Sequence, residues 1–128
     1  MAVGSDSPAV KVARAHTQAW DQRDMEAART ALTDEVHVIV TTTMPGAPAV
    51  DTVGVDDYMV GLEFFVNACT PGTLKEISAI GDDRNALLLV TVEADFGFGK
   101  TMSPGARLYL LDENDKISAE QVVFFAGS

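Results

Sequence analysis

The chain has 128 residues and carries 9 Lys and Arg against 19 Asp and Glu, which gives a formal net charge of −10. So acidic a surface repels phosphate backbones and argues against a nucleic-acid partner. No apolar run reaches the ~18 residues that a membrane-spanning helix needs, and the first residues lack the basic flank and apolar stretch of a signal peptide. We therefore expect a cytoplasmic protein without membrane contact, formed as one domain over residues 1–128 with residues 1–6 flexible.

The first predicted helix begins at Ser7 and Pro8, a capping hydroxyl followed by a proline suited to the first helical turn. Its apolar residues recur at helical spacing and form one face, which also carries His16. The polar stretch 21–24 interrupts the helix, and Asp24 is placed to cap a second, short helix. The pattern predicts a hinged pair of helices that covers one surface of the fold.

A strand, a loop and a third helix are predicted next. Residues 35–44, EVHVIVTTTM, are rich in β-branched side chains and predict a strand. Residues 45–54 contain two prolines and two glycines, which predicts a loop. The helix predicted over residues 56–69 carries four less polar side chains down one side: Tyr58, Leu62, Phe65 and Cys69.

The remaining chain predicts an antiparallel meander. Its β-rich segments are separated by short runs of turn residues, and they span residues 73–81, 85–96, 102–111 and 116–125. Apolar residues alternate along 85–96 while the other register turns polar, as expected where one face of a sheet leaves the core. The order α-α-β-α-β-β-β-β predicts an α+β fold in which a curved antiparallel sheet packs on three N-terminal helices.

Three segments resemble the SnoaL-like branch of the NTF2-like superfamily. Residues 19–36, AWDQRDMEAARTALTDEV, are similar to its helix, polar hinge, Asp cap, short helix and strand. Residues 54–66, GVDDYMVGLEFFV, resemble its third helix, and residues 107–125, RLYLLDENDKISAEQVVFF, resemble its paired strands joined by an acidic turn. The resemblance implies a cone with an apolar pocket between helices and sheet, and a homodimer formed through the outer sheet face.

The resemblance leaves the activity open, because members include isomerases, cyclases, epoxide hydrolases and domains that only bind or assemble. The ketosteroid isomerases use a tyrosine in the first helix, a base aspartate at the end of the first strand and a protonated aspartate on the penultimate strand. The corresponding positions here hold His16, Val40 and Arg107. Because valine cannot accept a proton, the isomerase reaction with a base at that position is not expected.

Two functional hypotheses follow. In the first, the protein is a SnoaL-like isomerase, cyclase or lyase that acts on a hydrophobic polyketide- or steroid-like substrate. His16 then carries the proton, and Arg107 orients or stabilises an oxygen anion. In the second, favoured by Val40, the chain is a non-catalytic domain that binds a ligand or dimerises. His16 would then be a core histidine bonded to a backbone carbonyl or to an acidic side chain.

The first hypothesis places a small hydrophobic ligand in the pocket, whereas in the second the pocket is closed or only stores a ligand. Its expected lining is Trp20, Val40, Tyr58, Leu62, Phe65 and Tyr109, although aromatic residues at such spacing also form plain core. An inward Arg107 needs an acidic partner, either from Asp51, Glu93 or Glu120 or from the ligand itself. The two histidines lie on different elements and do not predict a metal site, and no cofactor is expected.

Overall fold

The computed structural model describes residues 6–42, 50–97 and 99–124. In chain order its elements are α1 (Pro8–Asp21), α2 (Met25–Thr30), β1 (Leu32–Thr42), β2 (Val50–Val53), α3 (Val55–Ala68), β3 (Lys75–Gly81), β4 (Asn85–Ala94), β5 (Thr101–Leu111) and β6 (Ile117–Phe124). Within these ranges no helix is both long enough and apolar enough to cross a membrane. The expected flexibility of residues 1–6 falls largely outside the described residues. That flexibility and the single domain over 1–128 stay predictions.

The described strands form one sheet of six, in the order β2-β1-β6-β5-β4-β3. All neighbours are antiparallel except β1 and β6, which run parallel and place Val38 opposite Glu120. The predicted α+β class, with three helices on a curved sheet, is confirmed. The sheet is mixed rather than purely antiparallel as predicted, because β1 and β6 run in the same direction.

One strand lies where the sequence predicts a loop. Within residues 45–54, the segment Val50–Val53 pairs antiparallel with β1, so that Val53 lies opposite His37. Among the described strands, this short β2 pairs on one side only, so it needs few backbone hydrogen bonds and tolerates nearby proline and glycine. Gly54 follows with φ of +115°, a conformation that a residue without Cβ adopts readily, and α3 begins directly after it.

Helices α1 and α2 form the predicted hinged pair. Ser7 Oγ accepts a hydrogen bond from the Val10 backbone N–H at the start of α1, and Asp24 caps α2 by accepting one from the N–H of Ala27. The buried face of α1 packs on β3, β4 and β5. The inward residues of β4 complete this part of the core as the alternation predicts: Ala86, Leu88, Val90, Val92 and Ala94.

Two side chains hold the hinge between α1 and α2. Arg23 donates four hydrogen bonds to backbone carbonyls, two at the end of α1 and two at the end of α3. Asp21 Oδ1 accepts from the backbone N–H groups of Gly72 and Leu74. We call Arg23 and Asp21 the hinge latch, because together they tie the end of α1 to the end of α3 and to the chain that follows it.

Candidate functional site

An apolar cavity of about 610 Å³ opens between α3 and the sheet. Its non-polar lining is Val38, Val40, Val50, Val60, Gly61, Leu62, Phe64, Phe65, Phe96, Val122 and Phe124. Its polar lining is Thr52, Asp57, Tyr58, Arg107 and Glu120. Small-molecule sites in proteins typically enclose roughly 300–1,000 Å³ and combine apolar walls with a few polar groups, so the cavity has the size and character of a ligand site.

The two ends of the cavity differ in exposure. Val60 and Phe64, one helical turn apart on α3, are 69% and 78% exposed and mark its open side. Tyr58, Arg107 and Glu120 are each 4% exposed and lie at its closed end. We call these last three residues the cavity base. Because these residues are buried, a ligand group that contacts them must lose its hydration.

Strand alternation and sheet register bring the cavity base together. Arg107 and Tyr109 lie on the inward face of β5, and Tyr109 is opposite the inward Glu120 of β6. The parallel pairing of β1 with β6 then sets Val38 beside Glu120. Tyr58, in the first turn of α3, approaches the same point from the helical layer. The base is therefore built from side chains of α3 and of the two consecutive strands β5 and β6.

The Arg107 guanidinium is surrounded by aromatic rings. Its Cζ lies 5.1 Å from the ring centres of both Trp20 and Phe65 and 5.8 Å from that of Phe124. These distances are typical of cation–π contacts. Arg107 Nη1 also donates a long hydrogen bond of 3.4 Å to Glu120 Oε2. Of the three acidic partners considered from the sequence, Glu120 is the one that the structure brings to Arg107.

A chain of hydrogen bonds runs from Glu120 into the protein. The Tyr58 hydroxyl donates to Glu120 Oε1 at 2.5 Å, and Tyr58 Oη lies 2.9 Å from His16 Nε2. His16 Nδ1 lies 3.0 Å from the backbone carbonyl oxygen of Ala28. We call His16, Tyr58 and Glu120 the hydrogen-bonded chain. His16 is buried behind Tyr58 and does not form part of the cavity wall.

Burial sets the charge states of these groups. Burial lowers the pKa of His16, and the charge of Glu120 only partly opposes this. Burial, and after it the charge of Glu120, raises the pKa of Tyr58 and of Tyr109 well above the ordinary tyrosine value. Both phenols therefore stay protonated at neutral pH, whereas Arg107 stays charged at any accessible pH.

Three buried polar atoms near the guanidinium lack a hydrogen bond of normal geometry among the described residues. They are Trp20 Nε1, Arg107 Nε and Tyr109 Oη. Tyr109 Oη is nevertheless close enough to Arg107 and Glu120 to interact with both electrostatically. A buried donor without a partner costs roughly 1–3 kcal/mol, so groups of this kind concentrate where a protein has a role beyond its own folding.

The residues expected to line the pocket divide into two sets. Val40, Tyr58, Leu62 and Phe65 lie in the cavity wall. Trp20 and Tyr109 are fully buried outside that wall, where Trp20 packs against the guanidinium of Arg107. Of the two expected catalytic residues, Arg107 reaches the cavity and His16 reaches it only through Tyr58.

Glu120 is a residue of the site that the sequence predicts only as a possible partner of Arg107. The signal lies in the strand pattern, because Glu120 shares the inward register of β6 with the buried Val122. An acidic residue at an inward strand position needs a buried partner.

No group of three or more His, Cys, Asp or Glu side chains within the described ranges is arranged to hold a metal ion.

No protein-family model matches the chain, and no curated protein matches it by sequence. Solved structures do match it. A protein from Kribbella flavida DSM 17836 is 21% identical with a TM-score of 0.74, covering 94% of this chain and 87% of that one. An NTF2-like protein of unknown function from Cytophaga hutchinsonii ATCC 33406 is 14% identical with a TM-score of 0.65, covering 91% and 88%.

A third similar structure contains a ligand. RV0760c from Mycobacterium tuberculosis, in complex with estradiol-17β-hemisuccinate, is 14% identical with a TM-score of 0.72 and covers 91% of this chain and 93% of that one. Identities this low establish the fold alone. The chain has the NTF2-like fold, which confirms the resemblance read from its sequence.

Proposed function

We propose that the chain binds a hydrophobic small molecule of polyketide or steroid size, with an oxygen of that molecule at the cavity base. The observation that carries the proposal is the form of the cavity, about 610 Å³ of largely apolar wall with a buried polar end. Apolar walls supply affinity, and the few polar groups orient the ligand. The steroid ester bound to RV0760c, a protein of the same fold, supports this size class.

The reaction that the cavity base supports is proton transfer, as in an isomerase, a cyclase or a lyase of SnoaL-like type. Arg107 would stabilise negative charge that develops on a ligand oxygen, which is most effective in a site closed to water. Glu120 lies in the cavity wall and would exchange a proton with the ligand. His16 then acts through Tyr58, as a positioning residue and a store for the proton.

A second candidate function is ligand binding without catalysis, and Val40 favours it. This side chain occupies the part of the cavity wall formed by β1, where related isomerases hold their base. Deuterium exchange separates the two functions. If Glu120 transfers protons, a hydrophobic ketone that binds will take up deuterium from D₂O beside its carbonyl faster with the protein than with a Glu120→Gln variant.

Binding can be measured through Trp20, the single tryptophan of the chain. Its ring packs on Arg107, so a ligand at the cavity base should change its fluorescence. We expect estradiol-17β-hemisuccinate to change the emission in a saturable way. Absence of saturable binding by both this ester and estradiol would contradict the proposed ligand class.

A matched pair of variants on β1 tests whether the cavity is the site. Val40→Phe adds volume on the cavity wall, whereas Ile39→Phe adds the same ring on the other side of the strand. We expect Val40→Phe to weaken ligand binding by about tenfold or more, since a ring in place of two methyl groups fills part of the space. Equal affinity in the two variants would place the ligand elsewhere.

We also propose that the protein is cytoplasmic and that it forms a homodimer in which two copies pair through the outer sheet face. Ile80, Leu87 and Leu108 lie side by side across β3, β4 and β5 and are 54%, 39% and 47% exposed. An exposed apolar patch of this kind commonly marks an interface. Sedimentation should report a dimer for the unmodified chain and a monomer for Leu87→Lys/Leu108→Lys, whereas equal masses would contradict the proposal.

A further inference from the structure

The contacts of the hydrogen-bonded chain need one proton more than a neutral His16, a neutral Tyr58 and an ionised Glu120 supply. The Ala28 carbonyl oxygen can only accept, so the 3.0 Å contact requires a hydrogen on His16 Nδ1. Two contacts remain, from His16 Nε2 to Tyr58 Oη at 2.9 Å and from Tyr58 Oη to Glu120 Oε1 at 2.5 Å. Each needs a proton between its two heavy atoms, and the Tyr58 hydroxyl provides only one.

Two arrangements supply the second proton. In the first, His16 carries it on Nε2 and donates to Tyr58 Oη, while Tyr58 donates to an ionised Glu120. In the second, Glu120 is protonated and donates to Tyr58 Oη, while Tyr58 donates to Nε2 of a neutral His16. They interconvert when one proton moves between Nε2 and Oη and another moves between Oη and Oε1. In both, the charges of His16 and Glu120 sum to zero.

We propose that the hydrogen-bonded chain keeps this shared proton at neutral pH, so that with Arg107 the closed end of the cavity has a single net positive charge and receives the oxygen of a hydrophobic monoanion. Carboxylates, phenolates and enolates on a largely apolar body are the ligands of this class. The choice of an apolar body rests on the proposed function above. The proton count rests on the hydrogen-bond geometry of the protein alone.

The groups that face the hydrogen-bonded chain act on it in opposite directions. Burial lowers the pKa of His16, which favours the arrangement with the proton on Glu120. Arg107 on β5 lies 3.4 Å from Glu120 Oε2, so its charge opposes the arrangement with the proton on Glu120, and it also opposes a proton on His16. Tyr109, the other titratable group of β5 at this point, stays a neutral phenol. Burial thus opposes the proton mainly at His16 and Arg107 mainly at Glu120, so the proton is shared between these two residues, and its presence rests on the three contacts of the hydrogen-bonded chain.

For anion binding, the position of the positive charge at the buried cavity base matters more than the net charge of the whole protein. The whole chain has a net charge of −10, but salt screens exposed charges over a Debye length of about 8–10 Å. Asp57, the acidic residue of the cavity lining outside the base, is exposed. At the buried base the low local dielectric strengthens attraction for an anion, so a monoanion is favoured over a neutral ligand of the same shape.

The proton count can be tested by NMR without any ligand. The protein is labelled with ¹⁵N in its imidazoles and ¹³C in its Glu carboxyls, and His37→Gln leaves one histidine. The ¹⁵N signal then reports the His16 end of the hydrogen-bonded chain, and the ¹³C signal reports the Glu120 end. We expect a protonated carboxyl at Glu120, a doubly protonated His16, or an exchange average of the two at neutral pH. A singly protonated His16 together with a fully ionised Glu120 would overturn the proposal.

Tyr58→Phe is the control for that measurement. It removes the oxygen that joins His16 to Glu120 while it keeps the aromatic ring, and both ends should then return to a singly protonated imidazole and an ionised carboxylate. An additional proton that persists in Tyr58→Phe would show that it does not belong to the hydrogen-bonded chain, and this result would also overturn the proposal.

The ligand preference is tested with estradiol-17β-hemisuccinate, a monoanion, and estradiol, a neutral molecule, from about pH 6 to about pH 9. Loss of the shared proton at high pH should weaken binding of the anion by about tenfold and leave estradiol nearly unchanged. Glu120→Gln should abolish the pH dependence, because its amide donates to Tyr58 Oη without titrating. The same pH profile in both proteins would overturn the proposal, whereas failure of both steroids to bind would count against the proposed function.

Discussion

Two clusters of polar groups, the hinge latch and the cavity base, both contact Trp20, and they differ in how their hydrogen bonds are satisfied. In the hinge latch, Arg23 donates to four backbone carbonyls, and Asp21 accepts from two backbone N–H groups. At the cavity base, Arg107 makes one long hydrogen bond to Glu120, and its Nε has no partner of normal geometry among the described residues. The latch completes the fold, whereas the base keeps hydrogen-bonding capacity unused.

The difference follows from the partners that each arginine has. Arg23 bonds to carbonyls at the ends of α1 and α3, which the helices fix in place; those of Trp20 and Val66 also accept a backbone N–H. Arg107 depends on side chains from other elements, with aromatic faces in place of acceptors. Such faces stabilise a cation but do not satisfy its N–H groups. The comparison thus separates an arginine that serves folding from one suited to a ligand.

Replacing Arg107 should have the largest effect. Arg107→Met leaves the Glu120 carboxylate buried without its cation, which typically costs about 3–5 kcal/mol of unfolding free energy. Urea unfolding measures this cost, and Glu120→Gln in the same chain should restore part of it because no buried charge then remains. Arg29→Met, which breaks an exposed ion pair with Asp56, should cost only about 0–1 kcal/mol. Similar losses for the two arginines would contradict this interpretation of the base.

The hinge latch should matter for stability and not for binding. Arg23→Ala removes four hydrogen bonds to carbonyls and should lower the unfolding free energy by about 2 kcal/mol, with ligand affinity unchanged. Arg23 also has φ of +67°. Arg23→Gly should therefore be more stable than Arg23→Ala by about 1 kcal/mol, since glycine adopts this conformation without strain. A tenfold change in affinity in either variant would show that the latch also shapes the site.

Acid should weaken the fold through His16. Burial lowers the pKa of His16 in the folded chain, so the unfolded chain binds the proton first as the pH falls. In a Glu120→Gln background, which removes the shared proton of the hydrogen-bonded chain, the contribution of His16 to unfolding free energy is therefore constant above about pH 6.5 and falls below it by up to about 1.4 kcal/mol per pH unit, until the folded-state pKa is passed. Urea unfolding at several pH values measures the slope. His16→Gln should reduce it and His37→Gln, at a partly exposed residue, should not; equal slopes would contradict the prediction.

The sequence predicts the elements of the cavity well, because burial repeats along a helix or strand. The register of β4, the starts of α1 and α2 and the inward face of α3 all agree with the structure. The strand β2 was not predicted, since its four residues follow a run of prolines and glycines and gain their order from pairing with β1. The parallel pairing of β1 with β6 is equally invisible in a local pattern.

The composition of the site was harder to predict than its shape. The helical pattern places His16 and Trp20 on the inward face of α1, which is correct, but it does not show what lies between that face and the cavity. Tyr58 separates His16 from the cavity, and Arg107 packs directly against Trp20. Whether a buried residue touches a ligand or another side chain depends on contacts between elements, and these are fixed by the tertiary packing alone.

The pairing of β1 with β6 also has a consequence for synthesis on the ribosome. Val38 can pair with Glu120 only after about 80 further residues have been translated. One edge of β1 therefore stays unpaired while the intervening strands are synthesised. Contacts so distant in sequence slow folding and leave strand edges open to wrong pairing in the meantime. Arg107 is likewise made before Glu120, so the nascent chain cannot bury this arginine beside its carboxylate until β6 has been translated.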